Sequence, residues 1–362
     1  MAYRITPKIA VNILHLALWL ALLPDVATAI EADARQSACT NKTSLRSTGT
    51  LNLRIDNDMF GGVGQDQGYT NGFLVSWVSP NLVNYQSDPC LPSMVRRLNK
   101  YLAWLQPGGF DEQNMTLGLG QMMYTPVDRE RRHLISEDRP YAGALMLSFG
   151  YNARLGDTLR TSQLRLGVVG PASYAGQVQN QWHRIIGADR FRGWKNQLHN
   201  EPVVQLIHER RTRVARQQST NGWGWDFTRH WGASLGNFAT YANVGGELRY
   251  GMRIPDDFGT APLRPAGENT SPLHKAIGNA WSAHLFAAVD TRAVLRDITL
   301  DGNTFRSSHS VNKRPFVAEI SYGVAFYYGH WRIAFSRYHR TREFRGQKET
   351  PVYGTITVSR RF

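Results

Sequence analysis

The chain has 362 residues, of which 11% are aromatic and 19% charged, and its formal net charge is +14. Beyond residue 29 no segment approaches the ~18 continuous apolar residues that a transmembrane helix needs, which excludes a helical membrane protein. So basic a chain would suggest nucleic acid in the cytosol. Its N-terminus points instead to export, which removes nucleic acid and leaves a phosphorylated lipid surface as the natural counterpart of the charge.

Arg4 and Lys8 precede an apolar run from Ile13 to Leu23, which ends in Ala27-Thr28-Ala29, a small-x-small cleavage site. Residues 1–29 are therefore expected to be a signal peptide cut after Ala29. Residues 30–48 are polar and irregular and read as a periplasmic segment. From 49 to 362 twelve strand-like segments follow, near 49–58, 69–79, 114–124, 139–153, 159–169, 202–214, 222–235, 241–253, 279–291, 312–327, 330–342 and 351–362. Their apolar residues recur at period two: Leu51, Leu53 and Ile55, then Phe73, Val75 and Trp77, and later Trp223, Trp225 and Phe227. A soluble β-sandwich shares this alternation. The last segment carries Ile356 and Val358 on one face and ends on Phe362, which resembles the terminal strand of outer-membrane barrels. Backbone groups in lipid must be satisfied internally, so a chain that spans with strands must close on itself. The expected fold is all-β, a 12-stranded antiparallel transmembrane β-barrel with a short helix in an extracellular loop.

An even strand count puts both termini in the periplasm. Segments 57–69, 125–138 and 170–201 then face the exterior. The stretch 80–113 is periplasmic and long for a turn, and within it Met94 to Leu105 mixes apolar and basic residues at helical spacing. Cys39 and Cys90, the two cysteines of the chain, fall in the same oxidising compartment, so a bridge is expected. Residues 254–278, rich in Pro and Gly, read as a loop.

Three exterior segments carry polar groups of catalytic type. Asp56-Asn57-Asp58 ends an apolar-faced strand, with Asn57 in the parity that faces lipid; the cluster suits calcium, or simply a turn. Gly68-Tyr69-Thr70-Asn71-Gly72 returns from that loop and is expected to set Thr70 beside Asn57, as a site or as a hydrogen bond closing the turn. The run Gln179 to Asp189 reads as a short helix with Gln179, His183 and Ile186 on neighbouring turns of one side. His183 is then either a base able to take a proton from water or an ordinary surface histidine.

Asn57-Asp58, Tyr69-Thr70-Asn71-Gly72, Asp138-Arg139-Pro140-Tyr141-Ala142-Gly143 and Gln179-Asn180 through His183-Arg184-Ile185-Ile186-Gly187-Ala188 occur in this order. Together they resemble the outer-membrane lipid A 3'-O-deacylase family. The resemblance implies a twelve-stranded barrel and a Ca²⁺-dependent hydrolase that removes the 3'-linked acyloxyacyl chain from lipid A of lipopolysaccharide. It makes His183 the general base, with Asn57 and Thr70 as essential polar groups and Gln179 nearby. Asp58 and Asp189 become metal ligands, Asp189 standing where the family can carry Glu. Arg131 and Arg132 become a pair that meets substrate phosphates, against the alternative of a solvated charged loop. The implied partners are lipid A and the bilayer, and a monomer is expected.

The competing reading is a passive pore, with Arg54, Arg160, Arg165, Arg249 and Arg253 lining its lumen. An outer-membrane phospholipase is disfavoured, because His309-Ser310-Val311-Asn312 departs from the His-x-Ser-Asn-Gly pattern and no Gly-x-Ser-x-Gly elbow occurs.

Overall fold

Alternation along the chain becomes a closed wall in the computed structural model, which describes residues 49–61, 68–260 and 280–362. The expected signal peptide 1–29 and the segment 30–48 lie outside the described residues. Strands β1 to β6 span Thr50–Asn57, Gly68–Val78, Glu112–Thr125, Ala142–Leu155, Thr158–Val169 and Glu201–Gln218. Strands β7 to β12 span Trp223–Gly236, Ala239–Met252, Trp281–Asp297, Phe316–Tyr328, Trp331–Arg340 and Val352–Arg361. Each pairs antiparallel with its sequence neighbours, and β1 closes on β12 from Thr50↔Arg361 to Asn57↔Gly354. The barrel is thus 12-stranded and antiparallel. β1 begins and β12 ends at the same rim, the periplasmic one in barrels of this kind.

Side chains sort by parity. Val75, Leu119, Leu147, Leu166, Val204 and Val244 are exposed on the outer wall, as a lipid-facing belt requires. Asn52, Arg54 and Asp56 point inward and are buried. Asp56 accepts hydrogen bonds from Arg54 Nε at 2.6 Å, Tyr69 Oη at 2.6 Å and Thr355 Oγ1 at 2.8 Å. Such charges survive burial only when paired.

The lumen is filled from both ends. At the outer mouth Arg139 enters between the loops, donating to Glu343 at 3.0 Å and to Thr299 Oγ1 at 2.8 Å. Glu343 also pairs with Arg340 at 2.9 Å, and Arg340 with Glu319 at 2.6 Å. At the periplasmic end residues 254–260 turn inward. Phe258 is buried beneath the guanidinium groups of Arg154 and Arg213, each 5.2 Å from its ring centroid. Arg249 pairs with Asp226 at 2.5 Å and also with Asp257. The expected loop 254–278 is therefore partly a plug, and residues 261–279 lie outside the described residues.

Two arginines expected in the lumen are elsewhere. Arg160 and Arg165 are five residues apart, and an odd separation on a strand puts them on opposite faces. Arg165 is buried inside, whereas Arg160 is exposed on the wall with its guanidinium 5.3 Å from the Phe110 ring centroid. Arg253 lies past the end of β8 and is exposed. Strand limits also moved for local reasons. β4 starts at Ala142 rather than 139, because Arg139 turns into the lumen and Pro140 has no N–H to give a ladder. β9 runs on to Asp297, whose carboxylate caps the four-residue helix Ile298–Asp301 by accepting from Thr299 N at 2.9 Å.

The insert between β2 and β3 folds as predicted around a helix, α1 (Ser93–Tyr101). Cys90 is disulfide-bonded; its expected partner Cys39 lies outside the described residues.

Candidate active site

Helix α2 (Ala175–Ile186) belongs to the loop between β5 and β6 and begins four residues before the expected start. It ends where Gly187 takes φ 72°, a left-handed cap that suits glycine. The helix does not stand free in the exterior. It lies against the lipid-facing side of the wall near the outer rim. Ala175 and Val178 pack with Met123 of β3, and Trp182 meets Phe73 of β2 edge-on at 5.7 Å. Gln121 fixes the approach by donating to Ser173 O at 2.6 Å.

Gln179 and His183 are four residues apart and share one helix face, and both are buried. The returning chain clamps them. Phe191 sits edge-on to the His183 ring at 5.7 Å, and Trp194 Nε1 donates to Gln179 Oε1 at 2.7 Å. Tyr141 supports both aromatics, 6.2 Å from Phe191 and 5.2 Å from Trp194. Trp194 settles which end of the Gln179 amide is oxygen, so Nε2 is a buried donor, and it has no hydrogen-bond partner among the described residues.

His183 Nδ1 is 2.5 Å from the backbone carbonyl of Asp189. A carbonyl can only accept, so Nδ1 carries a proton, and in the neutral ring the lone pair falls on Nε2. That tautomer is the one a general base requires.

The second half of the site comes from β1 and β2. Asn57 faces outward, as its parity required, yet it is buried. Its register partner is Asn71, not Thr70. The β1–β2 register runs unbroken to that pair, so Thr70 lies one residue beyond it, and a bulge against β3 between Tyr69 and Asn71 leaves the Thr70 hydroxyl 2.6 Å from Thr125 Oγ1. Asn57 Nδ2 donates to Asn71 Oδ1 at 2.6 Å and reaches Thr70 O at 3.4 Å. Asn71 Nδ2 is then a second buried donor without a partner among the described residues. Asn71 shares its face with Phe73, which touches α2, and its β3 partner is Met123. The two halves thus meet across one patch of wall.

The expected metal ligands occupy different surroundings. Asp58 is buried in a tight turn that follows β1. The Asp189 side chain is 63% exposed and pairs with Arg129 at 3.7 Å, so what Asp189 gives the site is its carbonyl. Among the described residues no group of three or more His, Cys, Asp or Glu could hold a metal. The oxygen-rich, buried end of β1 fits a hard cation in donor type, with one carboxylate.

Beside the site opens a depression of about 720 Å³, lined by Arg132, Asn180, Asp189, Phe191, Arg192 and Lys195 among others. Arg131 is exposed on the same loop as Arg132 but is not part of this lining. Asn71, Arg192 and Lys195 were not anticipated from sequence. Asn71 could have been found, because it has the parity of Asn57 once the strands are paired.

The family model described as "Outer membrane protein LpxR" matches residues 14–362. No curated protein matches the chain in sequence. Among solved structures, LpxR from Salmonella typhimurium is similar at 18% identity and a TM-score of 0.69, over 86% of this chain and 100% of that one. The β domain of the Bordetella autotransporter BrkA matches at 9% identity over 88% and 100%, with a TM-score of 0.44. The first of these shares the fold; the second is too distant to carry an argument.

Proposed function

Because this chain belongs to the LpxR family of outer membrane proteins, we propose that it is a lipid A-modifying hydrolase that releases the 3'-linked acyloxyacyl chain in the outer leaflet. The observation that carries the reading is the protonated Nδ1 of His183, held by the Asp189 carbonyl, with the open amide donor of Gln179 one turn away. Both lie on the lipid side of the wall near the outer rim, where an acyl chain running down the barrel would present its ester.

In this mechanism His183 Nε2 takes a proton from water, and the water oxygen bonds to the ester carbonyl carbon. Negative charge gathers on the former carbonyl oxygen, which accepts from Gln179 Nε2 and Asn71 Nδ2. The ester C–O bond then breaks, and the imidazolium returns its proton to the departing 3'-oxygen. The products are a free acyloxyacyl acid and a 3'-hydroxyl. No serine nucleophile is needed. Asn57 positions Asn71, and Thr70 fixes the bulge through Thr125. Asp58 would be the carboxylate that holds Ca²⁺, which when bound would polarise the ester carbonyl. The basic depression at Arg132, Arg192 and Lys195, with Arg131 next to it, suits the phosphates of the headgroup.

The plugged lumen speaks against a passive pore. The barrel closes within one chain and leaves no strand edge among the described residues, which is consistent with our reading of the enzyme as a monomer. Mass spectrometry of lipid A from cells expressing wild type or His183→Ala tests the reading. Loss of the acyloxyacyl mass with wild type alone supports it. Unchanged lipid A with wild type, together with conductance in planar bilayers, would return the pore.

A further inference from the structure

The periplasmic insert raises a question that the active site leaves open. Its core does not pack inside the barrel or hang below it. Leu82, Tyr85, Leu91, Val95, Leu102 and Leu105 cover Trp77, Met115, Leu117, Phe149 and Tyr151, which all point outward from β2, β3 and β4. Further along these strands the same faces, at Val75, Leu119 and Leu147, are exposed lipid-belt positions. The insert therefore replaces the lower lipid-facing wall of three strands. Its seat is firm: Tyr151 Oη donates to Asn99 Oδ1 at 2.7 Å, Asn99 Nδ2 to Tyr85 O at 2.6 Å, and Tyr85 Oη to Asn152 O at 2.6 Å.

The far side of the insert is apolar. Met94 is 82% exposed, Tyr101 77% and Trp104 65%. Around the rest of the barrel, Trp223, Tyr250, Trp281, Tyr328, Trp331 and Phe362 stand exposed at the periplasmic strand ends, an aromatic girdle at the membrane interface. On β2 the girdle position is Trp77, and it is covered. Tyr101 and Trp104 continue the girdle in front of it. Going round α1, three sectors follow one another: Val95, Asn99 and Leu102 toward the barrel, then Met94 and Tyr101, then Arg97 and Lys100, exposed. A helix packed sideways on a barrel, with its next sector in acyl chains and its basic sector at headgroup level, needs this order.

We propose that α1 and the turn after it form an interfacial anchor embedded in the periplasmic leaflet, with Met94, Tyr101 and Trp104 among acyl chains and Arg97 and Lys100 binding anionic phospholipid headgroups. The occupant is the phospholipid bilayer, because the exposed face continues the barrel's own lipid belt and its cations match phosphatidylglycerol-type phosphates.

The test places benzoylphenylalanine at Tyr101 or at Trp104, and at Lys348 in an outer loop as control, in the full-length protein. Each variant is reconstituted in vesicles of phosphatidylethanolamine and phosphatidylglycerol, so either insertion direction offers the same lipids. Unboiled-gel mobility confirms a closed barrel. Photolysis is expected to give lipid adducts at 101 and 104 several-fold above position 348. Phosphatidylglycerol should be enriched in those adducts over its bulk share, and Arg97→Glu with Lys100→Glu should remove that enrichment. Lipid adducts no more frequent than at 348, or adducts mainly to protein in native membranes, would overturn the anchor. Enrichment that survives the double substitution would overturn the headgroup contact.

Discussion

A β-carbon on Gly143 would stand 2.2 Å from the β-carbon of Ala175, so the first turn of α2 rests on the wall at a separation that only glycine allows. The Ser173 hydroxyl would be 2.5 Å away as well. Both neighbours belong to the segment that delivers Gln179 and His183.

Gly143→Val should therefore lift α2 while leaving the strand ladder intact. A displacement near 1 Å at a catalytic group costs about a hundredfold in rate. Deacylation by Gly143→Val is expected to fall by about that factor, with wild-type mobility on unboiled gels. An unchanged rate would show that the seat of α2 does not set catalytic geometry.

Gln179→Ala and Asn71→Ala remove two buried amide donors of the site that have no partner among the described residues. Donors aimed at developing negative charge act in the transition state, and losing one costs about a hundredfold or more in kcat. KM should change little. A rise in KM at constant kcat would assign these amides to ground-state binding instead.

Half of this site was readable in the sequence for plain geometric reasons. Period two placed Asn57 outward, and a helical repeat put Gln179 and His183 on one face. The bulge at Thr70 was not readable, because one extra residue on β2 changes its pairing with β3, and with it the direction of the Thr70 hydroxyl, without altering composition. The clamp by Phe191 and Trp194 was hidden too, since it depends on the chain returning across α2. Arg160 was misplaced by ignoring strand parity over five residues. The insert showed its helical spacing, but nothing in the spacing says that it lies on the outside of the wall.

Arg139 of the Asp-Arg-Pro-Tyr-Ala-Gly motif holds the outer plug rather than the site, and its partner Glu343 makes the plug sensitive to pH. Burial alone would raise the Glu343 carboxyl, but Arg139 and Arg340 more than offset it and hold it below the usual glutamate range. A carboxylate depressed in the folded state stabilises fully above its unfolded value of about 4.3, and that stability is lost as pH falls through the folded value. Glu343→Gln takes a charged partner from Arg139 and Arg340, while Arg340 keeps Glu319 and Arg139 keeps Thr299, and should cost about 1.5–3 kcal/mol near neutral pH. The unfolding temperature, read by gel mobility, should drop at pH 7 relative to wild type, and the gap should narrow in strong acid. A gap independent of pH would exclude Glu343 ionisation as its source.

Headgroup binding in the basic depression should respond to salt. Replacing Arg132, Arg192 and Lys195 together by Gln is expected to raise KM for phosphorylated lipid A more at low ionic strength than at high, because screening already weakens exposed pairs. Equal KM for wild type and variant at low salt would move phosphate recognition elsewhere, with Arg131 the first residue to try.

His183 and Asp189 offer the sharpest test, because they separate backbone from side chain. If the Asp189 carbonyl fixes the tautomer, its carboxylate is dispensable. That carboxylate is largely exposed, and among the described residues it pairs with Arg129. An exposed pair is worth about 1 kcal/mol or less, so Asp189→Asn should change the rate by no more than about fivefold. Its calcium requirement should match wild type. Asp58→Ala, by contrast, should raise the calcium concentration needed for half-maximal activity, and chelation should inactivate wild type reversibly. His183→Ala should abolish release of the 3'-linked chains with the barrel still closed on unboiled gels. A large rise in the calcium requirement of Asp189→Asn would show that its carboxylate leaves Arg129 to bind the metal during turnover. Release at near wild-type rate by folded His183→Ala would remove the base from the mechanism altogether.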